Sequence, residues 1–524
     1  TMRLISYMPY TCPVERNKTD KPKFVWHNTL MELGMRLLEA PPVDTFNHSP
    51  YAPLGAFHEA PLRGDLLRLT KGALLEIELP LSDKIRTDYI DRALLPLWIA
   101  ECIHMVGYYI LARWCGAAKG DGMFWIHGGH ASVHPVGYCE AHRKRADKPT
   151  ILMPPHHIFG HKTHADWMDY VLNRYRVHMR YTLANYFDVT QSHMLDNKFK
   201  VGDRVETIHD EESSMLMPAL VKRVAGRRVL LEYSKHDIDK DKFIDKQMWK
   251  DMSDDLIYPV AFASEMGLKL CANAKYVAHT KSITDAIAKK KSDVPYAKHD
   301  TKKETVPEWT VNKKAFDEWK VGMVCEVIDR IDAQQNVLKA ARVLKVLKEG
   351  YVQIGPEGPD INEDSFIIHQ TSPSLFPVGY AKKYGVRLTS EADDFDWEPF
   401  LRRTNYTPAP EHFFHEVDPS KVPFKPGFKL EAVDQNEKVL CPATVKAVKG
   451  RLLLVSFDGW DENYDQLYDF RSNELLPIGW CEMVGYVLQE PENNESKDLE
   501  AEQVMDEDEE DEDSAPVSKK SRME

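Results

Sequence analysis

Phe457-Asp458-Gly459-Trp460-Asp461-Glu462-Asn463-Tyr464 sets three aromatic side chains at spacings of three and four inside a polar, acidic stretch. Rings of that size are costly to leave on a loop unless they pack against something or bind something. Two readings compete for any such triplet: large rings are most often buried for packing, and otherwise their faces offer a binding surface. A second constellation, His156, His157, His161 and His164, places four imidazoles within nine residues, a ligand type that zinc accepts. Pro154-Pro155 and Gly160 mark that stretch as an irregular linker, and no general base accompanies it, so no metal is expected. Lys289-Lys290-Lys291 reads as a solvated face. No Walker, G-x-G-x-x-G, H-E-x-x-H or G-x-S-x-G motif occurs. The expectation is a binding protein, not an enzyme, with no catalytic residues and no cofactor.

The aromatic stretch follows a recognisable scaffold. Ala443–Val448 and Leu452–Phe457 are two apolar runs split by Lys449-Gly450-Arg451, the pattern of a β-hairpin. Ala93–Ala112 is apolar for long enough to suggest a membrane span. It carries Pro96, Glu101 and His104, however, and reads better as two adjacent strands joined at Val106-Gly107-Tyr108. No membrane partner is expected.

At 524 residues the chain should hold several domains, each with its own core. Its formal net charge is −14, but residues 492–524 hold 14 acids and 4 bases, leaving the remainder at about −4. Such a body has no basic excess to grip a phosphate backbone, which argues against general nucleic-acid binding. The eight cysteines are widely spaced with no C-x-x-C pair, as in a reduced intracellular protein.

An internal repeat runs through the whole chain. Gly-x-x-x-Glu recurs at Gly72/Glu76, Gly202/Glu206, Gly322/Glu326 and Gly427/Glu431. Each is followed 50 to 63 residues later by a Pro-Val/Ile-Gly/Ala-aromatic turn, at Pro135–Tyr138, Pro259–Phe262, Pro377–Tyr380 and Pro477–Trp480. The last copy resembles a malignant brain tumour (MBT) repeat along nearly its full length. The matching residues are Gly427 through Asp434 (GFKLEAVD), Phe457-Asp458-Gly459-Trp460 with Tyr464, and Pro477 through Glu482 (PIGWCE).

The resemblance implies a mainly β protein of four tandem MBT repeats, Tudor-like royal-family barrel cores each preceded by an extended, partly helical arm that packs on a neighbouring repeat. The expected units are 20–150 (a divergent first repeat), 155–275, 280–390 and 393–491, followed by an acidic tail, 492–524, expected to be disordered. Arm segments are expected at Trp26–Leu30, Trp167–Leu172 and Phe395–Leu401 with Pro408–Phe414; the third arm, around Ser282–Trp309, lacks their aromatic signature.

By the same resemblance, methylated lysine is bound in a cage of Asp434, Phe457, Trp460 and Tyr464, with Asn436 as a polar neighbour. Methylation keeps the charge of lysine and makes its head easier to desolvate. Aromatic faces reward both properties, by roughly 0.5–2 kcal/mol per good cation–π contact. A carboxylate adds a charge-assisted hydrogen bond only while the ammonium keeps an N–H, which favours mono- and dimethyl-lysine over trimethyl-lysine. The other repeats depart from this set. Trp114 and Tyr233 stand where the Phe is expected, without the following Trp and Tyr, and the third repeat keeps Asp329 but has Gly355-Pro356-Glu357-Gly358-Pro359-Asp360 in its loop. The implied function is that of a nuclear, chromatin-associated reader of methylated histone tails (H3 or H4) that contributes to transcriptional repression, with other repressor-complex proteins as further partners. The alternative is a protein-interaction scaffold in which methyl-lysine binding is incidental.

Overall fold

Each Gly-x-x-x-Glu stretch becomes the first strand of a small curled sheet. The computed structural model describes residues 4–8, 26, 29–31, 33, 50–57, 69, 71–79, 94–118, 121–144, 149–160, 162–177, 197–209, 212–254, 256–304, 318–329, 335–390, 395–414 and 417–491. The acidic stretch 492–524 and His161 lie outside them. Among the described residues four sheets form, of seven, six, seven and five strands, and the same meander organises each. In the fourth core, Lys429–Val433, Leu440–Lys449, Leu452–Phe457 and Gln466–Asp469 run in sequence, with Leu475–Leu476 closing on the first strand. The hairpin turns at Gly450, whose φ of +67° suits glycine. The stretch read as paired strands rather than a membrane span is the equivalent hairpin, Leu95–Val106 with Tyr109–Trp114. No helix among the described residues is long and apolar enough to cross a membrane.

A register shift interrupts the second strand of every core, at Cys102/His104, in the Leu230/Leu231 pairing, at Val343/Lys345 and at Val445/Ala447. Such a bulge adds local twist and lets a short sheet curl on itself. The Pro-x-Gly-aromatic turn then enters the left-handed region at Gly137, Ala261, Gly379 and Gly479. A Cβ on Gly479 would stand 2.8 Å from the Tyr109 ring, so glycine there serves both the turn and a close approach.

The repeated glutamate ties turn to strand. Glu76, Glu206, Glu326 and Glu431 are all buried, and each accepts two backbone N–H groups from its turn. The donors are Gly137 and Cys139, Ala261 and Ala263, Gly379 and Ala381, and Gly479 and Cys481, at 2.7–3.0 Å. A third group, from an arm, completes each carboxylate: Tyr175 Oη to Glu76, Tyr276 Oη to Glu206, Trp397 Nε1 to Glu326 and Trp26 Nε1 to Glu431. An unpaired buried carboxylate would be severely penalised, so the arm residue completes each core electrostatically as well as by packing.

The arms therefore dock in a definite order. The helices His164–Val177, Ala274–Ala288 and Trp397–Thr404 rest on the first, second and third cores respectively. Trp26 and Tyr51, from the N-terminal arm, rest on the fourth, where Tyr51 bridges to Lys429. The arm expected around Ser282–Trp309 begins earlier, as the helix Ala274–Ala288, and uses Tyr276 in place of a tryptophan. Direct core-to-core packing adds to this. The fourth core meets the first through Tyr108 and Ile478, the second through Trp249 and Tyr486, and the third through Phe376, Tyr380 and Leu452.

Candidate functional site

The expected site residues fall into two groups on the fourth core. Asp434 leaves the end of the first strand and is half-buried. Its Oδ1 accepts the backbone N–H of Asn436 at 2.8 Å and of Glu437 at 3.3 Å, and the Gln466 side-chain amide at 2.9 Å. These three donors fix the carboxylate's orientation; no hydrogen bond to its Oδ2 is found among the described residues. Asn436 is exposed beside it.

The aromatic loop supplies the second group. Phe457 ends the third strand opposite Ala443 and is 3% exposed, so it belongs chiefly to the core. Trp460 and Tyr464 are 36% and 49% exposed, with ring centroids 5.3 Å apart and planes at 70°. Among the described residues, no other aromatic stands with the exposed large hydrophobic side chains. Core packing thus accounts for Phe457 and leaves the Trp–Tyr pair unexplained.

The loop that holds this pair is pinned at both ends. Asp461 caps the short 3-10 turn Glu462–Tyr464 by accepting the N–H of Asn463. Lys446, the residue extruded by the bulge at Val445/Ala447, reaches across to Glu462 at 3.0 Å and to Asp465 at 2.7 Å. Those two carboxylates raise its pKa, Asp465 first. At the loop's start Asp458 takes Lys429 at 2.7 Å and the Thr444 hydroxyl at 2.6 Å. Gln466, 1% exposed, joins the two groups: it orients Asp434 and its own carbonyl oxygen accepts from Gln435 N–H and the Tyr468 hydroxyl. Sequence reasoning overlooked Lys446 and Gln466. A bulge would have to be recognised to see the first, and nothing in the sequence marks the second.

Sheet register identifies the corresponding positions elsewhere. Trp114, Tyr233 and Pro356 face Ala100, Ala219 and Ala341 as Phe457 faces Ala443. Three residues beyond the repeated glutamate, where the fourth core has Asp434, the others have Leu79, His209 and Asp329. Asp329 is 7% exposed, and Lys339 lies 3.5 Å from its Oδ2. Trp114 is 1% exposed and packs on Phe124 at 4.5 Å. Of the histidine cluster, His156 and His157 lie in a short helix, His156–Phe159, and no group of metal-binding side chains occurs among the described residues.

Comparison with known proteins agrees with this architecture. The model of the mbt repeat matches residues 203–277, 323–393 and 428–495. The human MBT domain-containing protein 1 is 30% identical over 513 residues, covering 95% of this chain and 72% of that protein. The chain belongs to the MBT repeat family. Protein lin-61 of Caenorhabditis elegans is 34% identical over 414 residues, 75% of this chain, and the match spans just under two thirds, 66%, of the worm protein. Polycomb protein Sfmbt of Drosophila melanogaster is 30% identical over 84% of the chain. The crystal structure of its four MBT repeats, in complex with the peptide RHR(me)KVLR, superposes with a TM-score of 0.72 and 26% identity, over 90% of this chain and 99% of that one. The first repeat of this MBT protein, which the family model passes over, is present in the structure as a sheet of the same meander.

Proposed function

We propose that this protein is a chromatin-associated reader of methylated lysine, and that the fourth repeat is its reading site, formed by Asp434, Phe457, Trp460 and Tyr464 with Asn436 at the edge. The observation that carries the reading is the pair of rings Trp460 and Tyr464, held in the open by a pinned loop at a cost in apolar exposure. Aromatic faces in that state suit a methylammonium, which is cationic and easily desolvated. The oriented carboxylate of Asp434 suits a head that still carries an N–H. The methylated peptide bound by the Sfmbt repeats supports the ligand class, and the Polycomb name of that relative supports a role in repression in the nucleus. Histone tails, H3 or H4, are the proposed source of the lysine.

Titration calorimetry with unmodified, mono-, di- and trimethyl-lysine histone peptides tests this reading. The expected result is binding that requires methylation and is strongest for the lower states. Binding that ignores methylation would instead favour a scaffold role for the repeats.

A further inference from the structure

A cleft of about 890 Å³ opens between the second and third cores, against the arm that docks on the third. Lys269, Lys320, Arg342 and Lys345 all line it, and its lining contains no Asp or Glu. In a chain of net charge −14 this is a local reversal of sign. Two of the cations are partly answered from the rim, Lys269 by Glu212 at 2.9 Å and Arg342 by Glu357 at 3.0 Å. Arg342 also lies over the Tyr406 ring at 4.5 Å, which fixes the guanidinium in the cleft. Lys320 and Lys345 are exposed and make no ion pair among the described residues. Like charges gathered without counter-charge raise the local concentration of anions.

The chain carries a matching polyanion. Asp506–Asp513 is eight consecutive acids, tethered to the fourth core by the fourteen residues 492–505. Fully extended, that tether reaches about 50 Å, and tethering gives a segment a millimolar-range effective concentration. A nucleic acid would have to approach the net negative body from solution against long-range repulsion, whereas the chain's own run is covalently tethered to it.

We propose that the cleft between the second and third repeats is a docking site for an acidic peptide segment, and that its occupant is the chain's own Asp506–Asp513 run. This assignment does not depend on the fourth repeat's binding methyl-lysine.

The test uses the full chain in three forms: native, with all eight acids of 506–513 changed to Asn or Gln, and that neutralised form carrying Lys320→Glu and Lys345→Glu. The probe is a fluorescent octapeptide of sequence DEDEEDED, followed by anisotropy. The neutralised chain should bind it at least about tenfold more tightly than the native chain, whose own run competes, and binding should weaken as salt is raised. The two charge reversals, at exposed positions that leave the melting temperature unchanged, should abolish it. Equal binding to native and neutralised chains would overturn the assignment to the chain's own segment. Binding that survives the reversals, no binding to the neutralised chain, or preference for a DNA duplex over the peptide would overturn the site.

Discussion

The third and fourth cores share a scaffold down to single residue pairs, and they differ in what is placed where a ligand would come. In both, a buried glutamate gathers two turn N–H groups and a tryptophan indole, Trp397 on Glu326 and Trp26 on Glu431. In both, an aspartate follows three residues later. In the third core, however, Val327 faces Lys339, whose ammonium lies against Asp329; in the fourth, Val433 faces Leu440, and the hydrogen bonds to Asp434 among the described residues all go to its Oδ1. Where Phe457 ends its strand, the third core has Pro356, and the loop beyond folds the buried Ile361 back against Gly355. One core has thus closed over its own lysine while the other leaves rings exposed. The shared scaffold does not confer binding; a handful of positions on it decide.

The largest expected effect tests whether the scaffolds are equivalent. Trp26→Ala and Trp397→Ala should each lower stability by about 3–5 kcal/mol, read as a shifted denaturation midpoint, because each removes a buried ring and the glutamate's indole donor. A loss confined to one of them would show that the arms are not interchangeable in role.

Trp460→Ala should reduce methyl-lysine affinity by about 2 kcal/mol or more, roughly thirtyfold, while leaving the melting temperature within a degree or two. Calorimetry on the variant decides it: affinity retained within twofold would remove the fourth repeat from the reading. Asp434→Asn should come next. An asparagine can keep its oxygen toward Asn436, Glu437 and Gln466, so folding should survive. Loss of a charge-assisted bond worth about 1.5–3 kcal/mol should weaken mono- and dimethyl peptides about ten- to a hundredfold, and trimethyl peptides less. An equal loss for all three states would reduce Asp434 to a distant charge.

Lys339→Met in the third core should cost stability, by about 1–3 kcal/mol, because the buried Asp329 loses the opposite charge of the Lys339 ammonium. It should create no methyl-lysine site, since the loop Gly355–Asp360 holds no aromatic; a second binding stoichiometry in calorimetry would contradict that. The smallest effect concerns pH. Burial raises the carboxyl pKa of Glu206 and Glu431 from the ordinary 4.5 to about 7. A folded pKa above the unfolded one means the native state holds more protons between those values. The stabilising contribution of these groups is therefore full below about pH 4.5 and declines as pH rises through about 7. Denaturation midpoints of Glu431→Gln should be lower than native but flatter across pH 5–7; a parallel slope would assign the dependence to other groups.

Much of the fold could be read from local pattern. The four Gly-x-x-x-Glu strands and their left-handed turns follow from residues that only certain backbone conformations accept, and the hairpin around Gly450 is a local signal of the same kind. The paired strands hidden in the apolar run after residue 93 were legible because Pro96, Glu101 and His104 do not suit lipid. The aromatic stretch was visible as a problem in need of a ligand or a core, but not which ring served which: Phe457 lies in the core and Trp460 and Tyr464 outside it, a division made by strand ending and loop path.

What the sequence by itself determined is the set of short-range devices, since hydrogen bonds, turns and alternation within a few residues depend on neighbours along the chain. Only the tertiary structure decided the docking order, in which Trp26 reaches Glu431 across 405 positions and Tyr276 does for the second core what tryptophans do for two others. Only it paired Lys339 with Asp329 and sent Lys446 across to the aromatic loop. Burial and charge pairing are properties of the packed whole: a carboxylate or a ring has no fixed role until the chain has chosen what lies against it.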